Sequence, residues 1–371
     1  MDEPAALLYA SEFDSSGYAV AARRAMRAAR LAHVSVAWQP LVNTHHGRLC
    51  ADSASTAPAE LRDLRRHVDG SHVALAHCMP QSWAQLRREL GGTRFIGHTV
   101  WETTTVPRRW VTELAPADEI WVPTRWNADT LRAGGVGVPV HVVPHVVDHV
   151  VATIPPIELS PSRFVFASVC TWDWRKRPDL LLHAYLSAFT AADDVTLVLK
   201  TTERVVSWIT GSSVERNTWW QVMQIVRQYP DAAEVVLVTD DWTDAEVGGL
   251  MQCADCYVSL TSVEGWGLGA FDAAVAGTPL VITGYGGQME WLGTDHSGLV
   301  PFTIVPADHP DRSMFEAGMT WALADVDSAI DLMRDAVHGS PAFVAQAPAL
   351  AERLSQQYSA ARIGALIGEL L

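Results

Sequence analysis

The sequence predicts two doubly wound α/β domains of similar size. The chain has 371 residues, more than one hydrophobic core usually holds. Short apolar runs alternate with helical periodicity along most of its length, the mark of βαβ units and parallel sheets. One stretch, Asp148 to Ser162 ("DHVVATIPPIELSPS"), has three prolines and little periodicity, so it reads as a linker. The expected division is residues 1–150 and 151–345. A helical pattern over 346–371 remains, which can pack on either domain, including back on the first.

Taken in order, "AALLYAS", "HVSVAWQP", "HVALAHC", "RFIGHTV", "EIWVPT" and "VHVVPHV" read as strands of the first domain. Between them lie helical patterns such as "GYAVAARRAMRAARL" and "PAELRDLRRHV". The second series runs "RFVFASV", helix "RPDLLLHAYLSAF", "VTLVLK", a helix around "WWQVMQIV", "EVVLVT" and helix "AEVGGLMQ". It ends in the segment Thr261 to Gly287, "TSVEGWGLGAFDAAVAGTPLVITGYGG". There is no repeat of 20–50 residues and no low-complexity tract.

Composition narrows the function. The chain is 49% hydrophobic and 19% charged, with a net charge of −15. That balance argues against a nucleic-acid partner held on a general basic surface, but leaves room for a small anion held by one or two local cations. No apolar run reaches the roughly 18 residues of a membrane span, and no charged-then-apolar signal opens the chain. The expected address is the cytoplasm. The five cysteines are scattered. Cys253 and Cys256 form a C-x-x-C, but they straddle the start of an apolar strand and no second pair exists, so no metal site is expected.

The segment Thr261 to Gly287 carries the chemistry. "CYVSLTS" before it reads as a strand, "GLGAFDAAVAG" as a small-residue helix and "TPLVIT" as the next strand. Glu264 therefore sits at the carboxyl end of a strand, before a Gly-rich turn. The free N–H groups of the following helix favour an anionic ligand, and Asp272 lies on that helix.

These residues resemble the retaining glycosyltransferases of family 4, whose architecture is GT-B: two Rossmann-like domains facing across a cleft. The family signature is a Glu, seven residues and a second Glu, built on E-G-F-G-L-P and followed by A-x-G-x-P-V-I; here it reads "EGWGLGAFD" and "AVAGTPLVIT". "SVCTWDWRKRPDLLLHAYLSAF" resembles the family's phosphate-binding segment. "IGHTVWETTTVPRRW", "EIWVPTRWNADTLRAGGV", "VHVVPHVVD" and "SSGYAVAARRAMRAARL" resemble its N-terminal landmarks. The resemblance covers nearly the whole chain. It departs from the family in two places. Asp272 stands for the second Glu, one methylene shorter, and Thr171 or Trp172 stands where the family often has an additional Arg.

The resemblance implies a nucleotide-diphosphate sugar as co-substrate and no cofactor. Glu264 would accept hydrogen bonds from the sugar and Asp272 would hold the ribose diol. The turn through Gly265, Trp266, Gly267 and Leu268 would approach the phosphates, and Arg175 and Lys176 would neutralise them as charge develops on the leaving group. His98, ending "RFIGH", would contact the donor sugar, and Gly17 suits close approach to a phosphate or acceptor. Thr239, opening "TDDWTD", marks a turn near the base. On the acceptor side, His77, Trp101 and Glu102 are candidates, as is the loop "NTHHGRLC". Flat faces of Trp101, Trp172, Trp174 and Trp266 suit sugar rings. The implied reaction is front-face substitution with retention and without metal, onto a small molecule or glycan. Other readings are another GT-B enzyme, such as a nucleotide-sugar epimerase, a phosphorylase or a DNA-modifying glycosyltransferase, and a non-catalytic nucleotide-sugar-binding protein.

Overall fold

Two mainly parallel sheets organise the chain, each with helices in its crossovers. The computed structural model describes residues 6–44, 47–51, 55–147, 152–205, 215–339 and 341–371. The first residues of the expected linker, 148–151, lie outside them, as do His45 and His46 of the expected acceptor loop. The chain divides into two units, Met1–Asp148 with Gln356–Leu371, and His149–Ser355.

The first unit runs β1 (Leu7–Ser11), α1 (Gly17–Leu31), β2 (Val36–Thr44), β3 (Gly47–Cys50), α2 (Ala59–Arg62), β4 (Val73–His77), α3 (Trp83–Leu90), β5 (Arg94–His98), α4 (Arg108–Leu114), β6 (Glu119–Val122), α5 (Arg125–Ala133) and β7 (Val140–Val142). Its strand order is β3-β2-β1-β4-β5-β6-β7, with β3 antiparallel to β2 and the other pairs parallel. All five residues of β1 are buried, as its central place and unbroken apolar run require. The helix expected over "PAELRDLRRHV" stops at Arg62. From there the chain runs beside β2, where the Leu64 carbonyl accepts the Trp38 N–H at 2.8 Å; that pairing displaces a helical continuation.

The second unit runs β8 (Phe164–Val169), α6 (Pro178–Ala188), β9 (Val195–Lys200), α7 (Thr218–Val226), β10 (Glu234–Val238), α8 (Asp244–Cys253), β11 (Cys256–Ser259), α9 (Leu268–Val275), β12 (Leu280–Thr283), α10 (Met289–Leu292) and β13 (Leu299–Val300). A hairpin of β14 (Phe302–Pro306) and β15 (Thr320–Ala324) follows, then α11 (Val326–His338) and α12 (Pro341–Gln357). The parallel sheet has the order β10-β9-β8-β11-β12-β13. The order reverses between β8 and β11, and a doubly wound sheet binds its ligand at such a reversal, outside the carboxyl ends of the strands.

The final helix, α13 (Ala360–Leu370), packs on α1 of the first unit. Ile363, Gly364 and Ile367 are its buried residues. On α1 the matching surface is small, with Ala25, Ala28 and Ala29 buried. A Cβ on Gly364 would lie 2.1 Å from the Ala28 carbonyl oxygen, whereas one on Gly368 would meet nothing nearer than 3.8 Å. Gly364→Ala is therefore expected to destabilise the protein by about 1–3 kcal/mol through overpacking. Gly368→Ala should be neutral or raise the melting temperature, since Ala is the better helix former. Thermal melts of the two variants check this; equal effects would contradict the close helix contact.

Candidate functional site

The loops that follow β8 and β11 leave adjacent strands, paired at Cys256↔Phe166 and Tyr257↔Ala167. They are tied together. The Arg175 carbonyl accepts both the Ser262 N–H at 2.8 Å and the Thr261 hydroxyl at 3.1 Å. The first loop turns sharply around Asp173. Its carboxylate accepts the Arg175 N–H at 2.8 Å, and its carbonyl accepts the N–H groups of Lys176 and Arg177 at 3.1 and 3.2 Å. Arg177 has φ 51°, a left-handed conformation uncommon outside glycine, of the kind that clusters at functional sites. Its guanidinium is held by Asp179 at 3.0 and 3.1 Å, and Pro178 then starts α6.

This turn aims two cations at one buried carboxylate. Lys176 Nζ donates to Glu264 Oε1 at 2.5 Å and Arg175 Nη1 to Oε2 at 3.2 Å. Glu264 is 9% exposed. Burial pushes its carboxyl pKa up, but Lys176 and then Arg175 outweigh that and hold it below the ordinary carboxylate value. The carboxylate stays ionised because it has these partners.

Two glycines shape the backbone around it. Gly267 caps α9 with φ 81°, so the chain leaves Glu264 through a left-handed residue and enters the helix at Leu268. Gly286, after β12, lies so close that a Cβ there would sit 2.8 Å from the Glu264 carbonyl oxygen. That same oxygen accepts the Gly287 N–H at 2.7 Å. The turn Gly265–Leu268 and the N-terminus of α9 thus lie beside the charged cluster, and Asp272, half-buried, sits one turn further along α9.

The structure gathers Arg175, Lys176 and Glu264 in contact and places Gly265, Gly267 and Leu268 in the adjoining turn. Trp266 is corrected as a sugar platform: the residue is 2% exposed and its ring stands edge-on to Phe271 at 5.0 Å. Trp172 is also buried in the core, while Trp174 is 41% exposed. Thr239 follows β10, the outer strand, which β9 separates from β8, so it stands apart from the Glu264 cluster. The end of its "TDDWTD" segment is a helix cap, with Thr243 and Glu246 forming a capping box on α8. Among the described residues no group of three or more His, Cys, Asp or Glu is arranged to hold a metal, and Cys253 and Cys256 are free thiols.

In the first unit, His77 and His98 end the neighbouring strands β4 and β5 and are register partners. Their rings stack with centroids 3.9 Å apart at 8°, and His145 lies 6.3 and 6.0 Å from them. Tyr9, whose hydroxyl burial keeps protonated, shares a hydrogen bond with His77 Nδ1 at 2.7 Å. His98 is buried with neither ring nitrogen hydrogen-bonded. Burial pushes its pKa down to about 3; His77 and His145 are also held low, by burial first and then by neighbouring charge. Three neutral imidazoles therefore share one pocket of the fold.

The acceptor-side candidates separate. Trp101 is corrected: it is 1% exposed, its indole N–H bonds Thr103 and Thr105 at 2.9 and 2.7 Å, and its ring packs on Trp110 at 4.7 Å. It builds the loop. Glu102 is half-buried and its charge helps burial raise the Tyr18 hydroxyl. Gly17 is exposed at the start of α1, after the capping hydroxyl of Ser16. Sequence reasoning missed the pair of buried Glu12 and half-buried Arg48, with Nε 3.2 Å from Oε2. Glu12 follows β1 as Glu264 follows β11, which was the available signal; Arg48 arrives from the antiparallel β3, which had none.

Residues 182–365 match the pattern of "Family 4 Glycosyltransferase in conflict systems". The resemblance is to family 4 glycosyltransferases. It extends to the fold. HepE of Anabaena, solved in complex with UDP-glucose, superposes with a TM-score of 0.69 at 12% identity, covering 98% of each chain. Sucrose-phosphate synthase of Thermosynechococcus elongatus gives 0.64 at 15% identity, covering 98% of this chain and 97% of that one. An E. coli trehalose-6-phosphate protein bound with UDP-2-fluoro glucose gives 0.62 at 12% identity, covering 98% of each. The chain has the GT-B fold, with two Rossmann-like domains. No curated protein sequence matches it.

The neutral His98 has a consequence for acid stability. Its unfolded form takes a proton near pH 6.5, its folded form only near pH 3. The unfolded chain binds more protons between these values, so stability is full above about pH 6.5 and falls as pH drops toward 3. His98→Gln should flatten the decline between pH 6.5 and 5 by up to about 1.4 kcal/mol per pH unit. Urea unfolding at a series of pH values measures it; an unchanged slope would mean His98 is not buried neutral.

Proposed function

We propose that the protein is a retaining glycosyltransferase that moves a sugar from a nucleotide-diphosphate sugar to an acceptor hydroxyl, by a front-face route without metal. The observation that carries this reading is the Glu264 cluster: a buried carboxylate held by Lys176 and Arg175, beside a Gly turn that opens a helix, at the reversal of strand order. An arriving diphosphate is the natural competitor for those two cations. Helix N–H groups favour its negative charge, and two local cations suffice to take the charge that develops on a leaving phosphate. As they turn to the phosphates, Glu264 becomes free to accept hydrogen bonds from the sugar. Asp272, on the same helix, is assigned the ribose diol, and His98, with two unbonded ring nitrogens, a substrate hydroxyl on the first unit. Two of the structural relatives were solved with UDP-sugars, so UDP-sugars are the first donors to test.

Retention follows from attack on the face the nucleotide leaves, with the leaving phosphate taking the acceptor proton. The two bonds exchanged are the sugar–phosphate bond, which breaks, and the sugar–acceptor bond, which forms. The developing positive charge on the sugar sits beside Glu264, so that contact tightens toward the transition state.

Three variants test the assignment. Glu264→Gln should leave UDP affinity within a few-fold while lowering transfer by on the order of 10² or more. Asp272→Asn should weaken nucleotide binding itself, and less so for a 2′,3′-dideoxy nucleotide. Lys176→Ala should weaken UDP far more than uridine. Transfer or slow donor hydrolysis that persists in EDTA supports the metal-free route, and α-configured product from an α-donor supports retention. Binding of UDP-sugars with no turnover under any acceptor would make the protein a binding module instead.

A further inference from the structure

The hairpin β14–β15 reaches back to the charged cluster. Its base is closed by the Asp325 N–H on the Pro301 carbonyl at 2.8 Å, and its far end by the Ala307 N–H on the Met319 carbonyl at 2.8 Å. Between them, the Ala322 N–H donates to the Ser262 carbonyl at 3.0 Å, two residues before Glu264. The outer strand β14 is largely exposed, with Phe302 and Ile304 at 36% and 51%. The loop beyond it buries a histidine. His309 is 4% exposed, with its ring 4.2 Å from Phe315 and edge-on to Trp321 at 6.3 Å.

The polar surroundings of that ring fix its orientation. Nδ1 accepts the Asp311 N–H at 3.0 Å, which leaves Nε2 to carry the proton. Nε2 faces Asp173 Oδ2 at 3.8 Å, longer than a hydrogen bond but close enough for an electrostatic contact in a buried setting. Asp173 is the residue around which the cationic turn folds, with its other carboxylate oxygen on the Arg175 N–H and its carbonyl on those of Lys176 and Arg177. A histidine buried only to fill space would be worse than an apolar side chain, since its polar atoms must be satisfied.

We infer that His309 is a positioning residue: it acts through Asp173 to hold the Arg175–Lys176 turn in the conformation that receives a diphosphate, and the hairpin is the arm that delivers it. The inference rests on the proposed role of those two cations. It predicts that the hairpin controls phosphate affinity without touching the phosphate. His309→Phe keeps the ring packing and removes both polar contacts. His309→Gln places an amide donor where Nε2 stands, whereas His309→Asn reproduces only the Nδ1 side.

Amide hydrogen exchange without ligand, and binding of UDP, pyrophosphate and uridine, are measured for these variants and for Asp173→Asn. The expected result for His309→Phe is about tenfold faster exchange at the Lys176 and Arg177 amides, and about tenfold weaker UDP and pyrophosphate binding, as expected when a buried electrostatic contact is lost. Uridine affinity should stay within about twofold, because the nucleoside carries no phosphate for the turn to hold. Gln should restore both properties and Asn neither, and Asp173→Asn should reproduce the loss without adding to it in the double variant. Unchanged exchange in His309→Phe, or rescue by Asn as good as by Gln, overturns the inference and leaves His309 as a cap for Asp311. If the wild-type protein binds neither UDP nor pyrophosphate, the diphosphate reading itself falls, while the exchange data still report whether His309 holds the turn.

Discussion

Everything about the second unit's candidate site depends on one constraint: Glu264 is buried and charged. An isolated carboxylate cannot remain ionised in such a place, because desolvation raises its pKa. Lys176 and Arg175 supply the compensation at 2.5 and 3.2 Å. Removing one member of a buried pair typically costs about 3–5 kcal/mol, whereas replacing the whole pair by packed apolar groups is often neutral. Stability alone therefore does not call for this arrangement. A pair of cations parked on a carboxylate, next to a helix start, is suited to exchange one anion for another, and the neighbouring backbone is built to keep it there. Thr261 and Ser262 clamp the Arg175 carbonyl, while Gly286 and Gly287 press against the Glu264 peptide.

The same constraint explains why this part of the site could be read from the sequence. Strand, carboxylate, glycine turn and helix are consecutive residues, so Glu264, Gly267 and Asp272 were legible as a local pattern. Arg175 and Lys176 were legible because they match the Arg-Lys of the resembled family and a basic turn is rare in so acidic a chain; the pairing of β8 with β11 that brings them to Glu264 shows only in the fold. Asp173 and His309 were not legible. The importance of Asp173 lies in backbone bonds that only the folded turn displays. His309 sits more than a hundred residues away in sequence, in the loop of a hairpin, and only the folded chain brings it to Asp173.

Aromatic residues show the opposite error. Trp101 and Trp266 fall in the right loops, and position suggested sugar platforms. Their size decided otherwise: large flat side chains gain most by full burial, and each became the packing that shapes its loop. Trp101 takes two internal hydrogen bonds for its N–H, and Trp266 supports α9 through Phe271. A tryptophan next to a binding motif is thus weak evidence for a ligand contact when burying its ring can build the loop instead.

The first unit poses a different physical problem with a related answer. Its strands β4 and β5 end in histidines that are register partners, so parallel pairing itself brings the two rings together. Two stacked imidazoles cannot both be charged at this separation, and burial forbids even one. The ring of His77 is committed to Tyr9, while His98 keeps both nitrogens unbonded. An unbonded polar ring in a buried setting is costly unless something completes it. Because it is neutral, His98 offers one donor and one acceptor, the complement of a hydroxyl group, and it offers no charge to a phosphate. Fixed positive charge thus gathers at the carboxyl ends of β8 and β11, and a neutral hydrogen-bonding ring stands at the carboxyl end of β5.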